Sequence, residues 1–245
     1  MKDYLIDTHA HLDMLSELDI SGVGKVIVPS VEVKTMEKVI DLSKNPNIYS
    51  MIGIYPSEAK TYNQEVEELM VEHAKKSKVV AIGEIGLDYY WDKSFVDLQK
   101  DVFIKQIKLA NRLKLPIVVH DREAHKDCFD ILKEHNKGSK VLFHCFSGSV
   151  EFMKECTKQG WYIALGGVVT FKNAVKMKDV AREVPLNKLV LETDAPYLTP
   201  VPFRGKENKP AYVRYVAEEI AKIRNLTVEE IIDITTRNAE EFFGI

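Results

Sequence analysis

The sequence has few cysteines and no long hydrophobic run, and each absence excludes a class of protein. Its three cysteines include no Cys-x-x-Cys pair, and such a small odd number argues against a disulfide framework. This usage fits a reducing compartment, so we expect a cytoplasmic location. No apolar run reaches the about 18–20 residues that cross a bilayer, and the opening MKDYLIDTHAHLD is not a signal peptide. We therefore expect no contact with a membrane.

An excess of basic residues is also missing. The 245-residue chain has a formal net charge of −3, whereas proteins that bind phosphates nonspecifically usually carry a basic excess. Any site for nucleic acid must then be local, or must depend on bound cations.

Apolar, β-branched segments alternate with amphipathic segments along the whole chain. The pattern predicts eight strands, at 4–10, 25–31, 48–55, 79–87, 116–121, 140–146, 161–169 and 189–194. Strands that alternate with helices form right-handed parallel units, so we predict an α/β protein. Eight strands in a chain of this length favour a (β/α)8 TIM barrel, as a single domain over residues 1–245. A doubly wound open sheet is the alternative that the strand count leaves open.

Capping signals mark the predicted starts of two helices. Ser94 followed by Asp97 precedes a clear apolar stripe at helical spacing, and Thr227 followed by Glu230 forms a capping box before the last helix. Both pairs predict where a helix begins.

Histidines and acids lie at or near the predicted C-terminal ends of five strands. Active sites of parallel barrels are built at this face. Imidazoles and carboxylates in apolar strands need hydrogen bonds or a cation to offset burial. His9 and His11 are two residues apart, so in a strand both side chains project to one side. A metal site is therefore predicted at His9, His11, Glu84, His120, His144 and Asp194.

The number and type of these ligands bear on the metal. A single histidine at a strand end is more commonly a hydrogen-bonded core residue, whereas six such residues at the same face favour a metal site. Six ligands exceed the four of one tetrahedral zinc, whereas two divalent ions bridged by a carboxylate would use them all. Mixed imidazole and carboxylate ligands suit Zn, Mn, Fe or Ni, whereas Mg tolerates carboxylates with water, so Mg, Mn or Zn is expected and the identity of the metal stays open.

Other histidines and the cysteines are interpreted as structural. His73, His125 and His135 fall in helical or loop patterns, where we expect solvated side chains. In a strand Cys145 would point away from its neighbour His144, so we expect a buried structural thiol rather than a ligand or nucleophile.

Two arginines follow strands that carry predicted ligands. Arg122 lies two residues after His120, and Arg204 lies in the irregular segment from Pro200 to Pro210 that follows Asp194. Guanidinium groups bind phosphate through paired hydrogen bonds. A solvated charged loop is the alternative, but nearness to the predicted metals favours substrate binding by both arginines.

Five motifs occur in order through the whole chain. They are LIDTHAHLD at 5–13, GEIGLDY at 83–89, PIVVHDREA at 116–124, FHCFSG at 143–148 and LETDAPYL at 191–198. Together they resemble the TatD family of metal-dependent deoxyribonucleases, within the amidohydrolase superfamily. The resemblance implies a TIM barrel that uses divalent metals to hydrolyse phosphodiester bonds in DNA.

The resemblance also implies a role for each site residue. Asp194 would accept the proton of the attacking water, Glu84 would bridge two ions, and Arg204 would contact phosphate. One ion would be held by His9, His11, Glu84 and Asp194, and the other by Glu84, His120 and His144.

One segment departs from the family pattern. Many members carry Gly-x-His-Pro-His after the third strand, whereas Tyr55 and Ser57 replace both histidines here. The sequence leaves the effect of these replacements open.

Three functions are compatible with the sequence. The leading hypothesis is a deoxyribonuclease with DNA as its substrate and no obligate protein partner, with 3'-5' exonuclease action on single strands as one form. An amide or ester hydrolase on the same metal barrel is the first alternative, because a fold does not fix the substrate. The second is a metal-dependent protein that binds nucleic acid without turnover.

Overall fold

Eight strands alternate with helices in the computed structural model, which describes residues 4–245. The strands follow chain order along one sheet, and the pairs with a defined register are parallel. A doubly wound sheet has a different strand order, so the predicted (β/α)8 barrel class is confirmed. The strands are β1 (Ile6–Asp7), β2 (Lys25–Pro29), β3 (Ile48–Ile52), β4 (Val79–Asp88), β5 (Ile117–Arg122), β6 (Val141–Phe143), β7 (Tyr162–Leu165) and β8 (Leu189–Leu191).

The helices of the described range mostly bury one apolar face. They are α1 (Val33–Leu42), α2 (Gln64–His73), α3 (Val96–Leu113), α4 (His125–His135), α5 (Val150–Lys158), α6 (Val175–Glu183), α7 (Val213–Arg224) and α8 (Val228–Phe243). Within residues 4–245, no helix has the length and apolar character that a membrane span requires.

The two capping predictions differ in outcome. At α8, the Thr227 hydroxyl accepts the Glu230 N–H at 3.1 Å and the Glu230 carboxylate accepts the Thr227 N–H at 2.8 Å, so the capping box is confirmed. At α3, the residue before the helix is Phe95, and no side chain caps the helix. The signal from Ser94 and Asp97 was wrong because α3 begins at Val96, so Ser94 lies one residue before the cap position, in a turn where its N–H donates to Asp92.

The chain divides into two compact units, and the prediction of a single domain stays a prediction. The first unit comprises Met1–Val28 and His144–Ile245. Within it, the Thr8 N–H and hydroxyl both donate to the Leu191 carbonyl, at 3.0 and 2.9 Å. Ala10 forms a parallel bridge with Ala195. The segment after β1 therefore lies beside the end of β8.

The second unit comprises Pro29–Phe143. Its central strand, β4, is buried along its whole length and packs against α3. Burial on both faces is what a parallel strand covered by helices requires. Glu84 lies in the middle of this strand and is only 2% exposed, so its carboxylate must find its partners inside the protein.

Several strands end earlier than predicted. β1 ends at Asp7, β6 at Phe143 and β8 at Leu191. His9, His11, His144 and Asp194 therefore lie just after strands rather than at their last residues, in the loops that follow.

Two expectations about structural residues were wrong. His73, the last residue of α2, is 3% exposed rather than solvated, because tertiary packing covers that end of the helix. Cys145 is partly exposed and has a φ of 42°. The backbone has left the strand at this point, so the alternation that should have buried the thiol no longer applies.

The buried face of α3 makes a large contribution to stability. Phe103 is 1% exposed, and Phe103→Ala should lower the free energy of unfolding by about 3–5 kcal/mol through lost burial and a new cavity. Urea unfolding followed by circular dichroism measures the change. The control is Val175→Ala, because Val175 is 66% exposed and should change the stability by about 0.5 kcal/mol or less. Equal changes for both variants would contradict this account of the core.

Candidate metal centre

The first unit gathers three predicted histidines around Asp194. Nε2 of His9 and Nε2 of His11 lie 3.8 and 3.4 Å from Oδ1 of Asp194. The rings of His9 and His144 stack with centroids 3.9 Å apart. Four predicted site residues of this unit therefore form one cluster, as the sequence pattern indicated.

The backbone and the surrounding charges hold Asp194 in place and keep it ionised. Its φ of 57° is left-handed, and its N–H donates to the His9 carbonyl at 2.9 Å. Burial alone would raise the pKa of this carboxyl, but the hydrogen bond from His11 and attraction to His11, His9 and His144 outweigh it and lower the pKa. The side chain is thus a carboxylate at neutral pH, able to bind a cation or to accept a proton.

Glu192 is a site residue that sequence reasoning missed. It is fully buried, and its Oε1 accepts the Cys145 N–H at 2.6 Å. Oε2 has no hydrogen-bond partner among residues 4–245. One atom each of His9, His144 and Glu192 lie within 4.8 Å of one another, which is a spacing suited to a metal ion. The available signal was the Glu-x-Asp spacing to Asp194, since residues two apart in extended chain share a side.

Asp7 connects the two chain segments that carry these ligands. Its carboxyl group accepts the Thr193 N–H at 2.9 Å, the Thr193 hydroxyl at 2.5 Å and the His9 N–H at 3.3 Å. Burial raises the pKa of Asp7, and this effect outweighs the lowering by the hydrogen bonds from Thr193 and His9. The resulting pKa is about 8. Asp7 therefore fixes the backbone of His9 and of Thr193, the residue before Asp194.

The second unit brings together its own pair of predicted ligands. Oε1 of Glu84 in β4 lies 2.8 Å from Nδ1 of His120 in β5. On the other side of the ring, Nε2 of His120 lies 3.1 Å from Oδ2 of Asp88. Metal-binding histidines commonly donate their second ring N–H to a carboxylate, which sets the tautomer and the ring orientation. Asp88 is the carboxylate next to Nε2 of His120, which leaves Nδ1 of the same ring facing Glu84.

Tyr55 completes the surroundings of His120. Its hydroxyl donates to Oδ2 of Asp88 at 2.9 Å and lies 3.0 Å from Nε2 of His120. Burial would raise the pKa of Asp88, but hydrogen bonds from His120, the Tyr90 N–H and Tyr55 lower it to about 2. The replacement of a family histidine by Tyr55 thus supplies a hydrogen-bond donor next to a predicted ligand. The exposed Ser57, by contrast, donates its hydroxyl to the neighbouring Glu58 at 3.3 Å.

The donors of each unit fit a divalent cation. Both units combine imidazole nitrogens with buried carboxylates, the mixture that Zn and Mn accept and that Mg tolerates with added water. The carboxylate oxygen of Glu192 that lacks a hydrogen bond is costly in a dry interior unless a cation offsets it. The residues present therefore agree with a metal centre.

The two predicted phosphate-binding arginines are held by aromatic rings. The guanidinium carbon of Arg122 lies 3.8 Å from the ring centre of Tyr90. That of Arg204 lies 4.0 Å from the ring centre of Phe171, and its Nη1 donates to the Thr199 carbonyl at 2.9 Å. Both side chains are exposed at the surface, and their contacts with substrate stay predictions.

Comparison with known proteins identifies similar chains over the full length. A family model described as TatD related DNase matches residues 6–244. The uncharacterized metal-dependent hydrolase YabD of Bacillus subtilis is 44% identical, covering 98% of this chain and 99% of the relative. The uncharacterized metal-dependent hydrolase YcfH of Escherichia coli K12 is 36% identical, covering 99% and 96%. The crystal structure of YjjV, a TatD homolog from Escherichia coli K12, matches with a TM-score of 0.92 at 31% identity, covering 98% of each chain.

Asp88 should control metal affinity through His120. Asp88→Asn removes the charge that orients the ring and should weaken Mn²⁺ binding by about 10- to 100-fold, the range seen when such partners are lost. Tyr55→Phe keeps the carboxylate and loses one donor, so its effect should be smaller. Calorimetric titration of metal-free protein with Mn²⁺ measures both. Asp101→Asn, at a half-exposed position of α3, is the control, and equal affinities for Asp88→Asn and this control would refute the role.

Proposed function

Because the chain belongs to the family of TatD-related DNases, we propose that this metal-dependent hydrolase cleaves phosphodiester bonds in DNA. The observation that carries the proposal is the cluster of three imidazoles around the ionised Asp194. DNA is the proposed partner of the protein, and the cytoplasmic location stays a prediction.

Two divalent ions, Mg, Mn or Zn, are the proposed cofactors. Their ligands would be His9, His11, Glu84, His120, His144 and Asp194, with Glu84 shared between the ions, and Glu192 joins this set as a further candidate. When bound, such ions activate water and neutralise the charge that develops at phosphorus. The sequence motifs and the geometry within each unit both support this assignment.

Asp194 is the proposed proton acceptor. A general base must be ionised and must be held within reach of the water that attacks the substrate. The lowered pKa of Asp194 meets the first requirement. The hydrogen bond from its N–H to the His9 carbonyl and the one that the Thr193 N–H donates to Asp7 support the second, because they restrict the backbone leading into the residue.

Arg204 and Arg122 are the proposed phosphate-binding residues. Stacking on Phe171 and Tyr90 leaves the edges of the guanidinium groups open to an anion, apart from Nη1 of Arg204, which donates to the Thr199 carbonyl. A chain of net charge −3 would then attract the phosphates of DNA locally, through these arginines and the cations in the site.

The nuclease proposal is tested with a labelled single-stranded oligonucleotide in the presence of Mg²⁺ or Mn²⁺. The protein should shorten or cut the strand, and Asp194→Asn should slow the reaction by at least about 100-fold, as expected for loss of a general base. The control is Asp179→Asn, since Asp179 is a half-exposed residue of an ion pair on α6. Metal analysis of each variant separates the loss of an ion from the loss of a proton acceptor.

The other functions predict different outcomes in the same assay. Hydrolysis of amide or ester substrates without cleavage of DNA would contradict the proposal in favour of the amidohydrolase-type alternative. Binding of DNA that a chelator abolishes, without any turnover, would support a protein that only holds nucleic acid. Full activity of Asp194→Asn would refute the assigned proton acceptor.

Arg204 should affect binding of substrate more than the chemical step. Arg204→Ala should raise KM for the oligonucleotide by about 10- to 100-fold with a smaller change in kcat, the range expected for hydrogen bonds to a charged group. Arg204→Lys should restore binding only in part, because an ammonium cannot form the paired contact. Arg214→Ala, on the exposed side of α7, is the control. An unchanged KM for Arg204→Ala would contradict the assignment.

A further inference from the structure

The turn after β4 exposes two aromatic side chains side by side. Tyr90 is 48% exposed and Trp91 is 70% exposed, although large aromatic residues are usually mostly buried. Their ring centroids lie 4.8 Å apart, with planes at 86°. Neither ring contributes to the core described above, and the exposed position of both rings suits contact with a partner outside the chain.

The backbone of this turn is tightly held. Oδ1 of Asp88 accepts the N–H groups of Tyr90 and Trp91, at 2.9 and 3.4 Å. Buried Gln99 of α3 binds both backbone groups of Asp88, at 2.9 and 3.1 Å. The aromatic rings therefore extend from a fixed turn, and binding a ligand there would not require the backbone to become ordered.

A cation accompanies the two rings. The guanidinium carbon of Arg122 lies 3.8 Å from the ring centre of Tyr90 and 5.5 Å from that of Trp91. The nearby acid Glu123 lies 3.9 Å from the ammonium group of Lys93. The surface thus combines flat apolar rings with a positive charge that lies against them, which suits a ligand that is both aromatic and anionic.

We propose that Tyr90, Trp91 and Arg122 form a stacking platform for the bases of single-stranded nucleic acid. Exposed aromatic rings with adjacent arginines bind single strands by stacking on the bases while the cation contacts the backbone. In a duplex the bases are paired and stacked on one another, so their faces are closed to such a surface. This proposal rests on the proposed nuclease function, because it specifies single strands as the substrate of the candidate metal centre.

The stacking platform is connected to a predicted metal ligand through two links. Asp88 holds the turn with Oδ1 and binds Nε2 of His120 with Oδ2. Arg122 lies two residues after His120 on β5 and faces the same side of the strand. A base on the platform would therefore be held close to His120, one of the residues proposed to bind a metal ion.

Tryptophan fluorescence tests the platform directly, because the chain has two tryptophans and Trp161 is only 6% exposed. The probe is a twelve-residue oligothymidylate with a phosphorothioate backbone that resists cleavage, titrated into the metal-loaded protein. It should quench the emission of the wild type and of Trp161→Phe, but not that of Trp91→Phe. An abasic strand of the same length keeps the charge and lacks the bases, so it should quench little.

Affinity for the strand gives a second readout. Anisotropy of a labelled oligothymidylate should show that Trp91→Ala weakens binding by about 5- to 100-fold, whereas affinity for the abasic strand should change little. Val175→Ala is the matched surface control. Equal quenching by the abasic strand or by a duplex would overturn the proposal, as would unchanged affinity in Trp91→Ala. Base-dependent quenching without any DNA cleavage would support the platform while refuting the nuclease function.

Discussion

Burial of charged and polar groups within the strands and in the loops just after them is the constraint on which the rest of the structure depends. Three imidazoles surround one carboxylate in the first unit, and a glutamate and an aspartate lie on either side of one imidazole in the second. Such groups lose hydration in the interior, and only hydrogen bonds, opposite charges or bound cations offset that loss. A cation bound by the same atoms would offset this cost.

The residues behind the predicted ligands show how the arrangement is held. Asp7 binds the backbone next to His9 and Asp194, and Asp88 fixes the ring of His120. Each of these carboxyl groups makes several hydrogen bonds, yet their surroundings move their pKa values in opposite directions, to about 8 for Asp7 and about 2 for Asp88. Their contacts with the backbone and with His120 position the predicted ligands from within each unit.

Sequence patterns identified the fold class because the alternation of strands and helices depends on residue type at short spacing. The ligands were predicted from residue type near the ends of the predicted strands. The capping box at Thr227 is a local interaction and could be found in the same way. Glu192 was missed because it follows the apolar residues of β8 and its contact with Cys145 depends on the fold. The contact of Tyr55 with Asp88 joins residues far apart in the chain. The burial of His73 likewise depends on packing that no local pattern encodes.

The location of bound metal tests the central claim most directly. Crystals of the protein soaked in Mn²⁺ should give anomalous difference peaks next to the imidazoles of His9, His11 and His144 and the carboxylate of Asp194, and these peaks should disappear in a chelator. Peaks confined to surface carboxylates, with none beside these residues, would contradict the account.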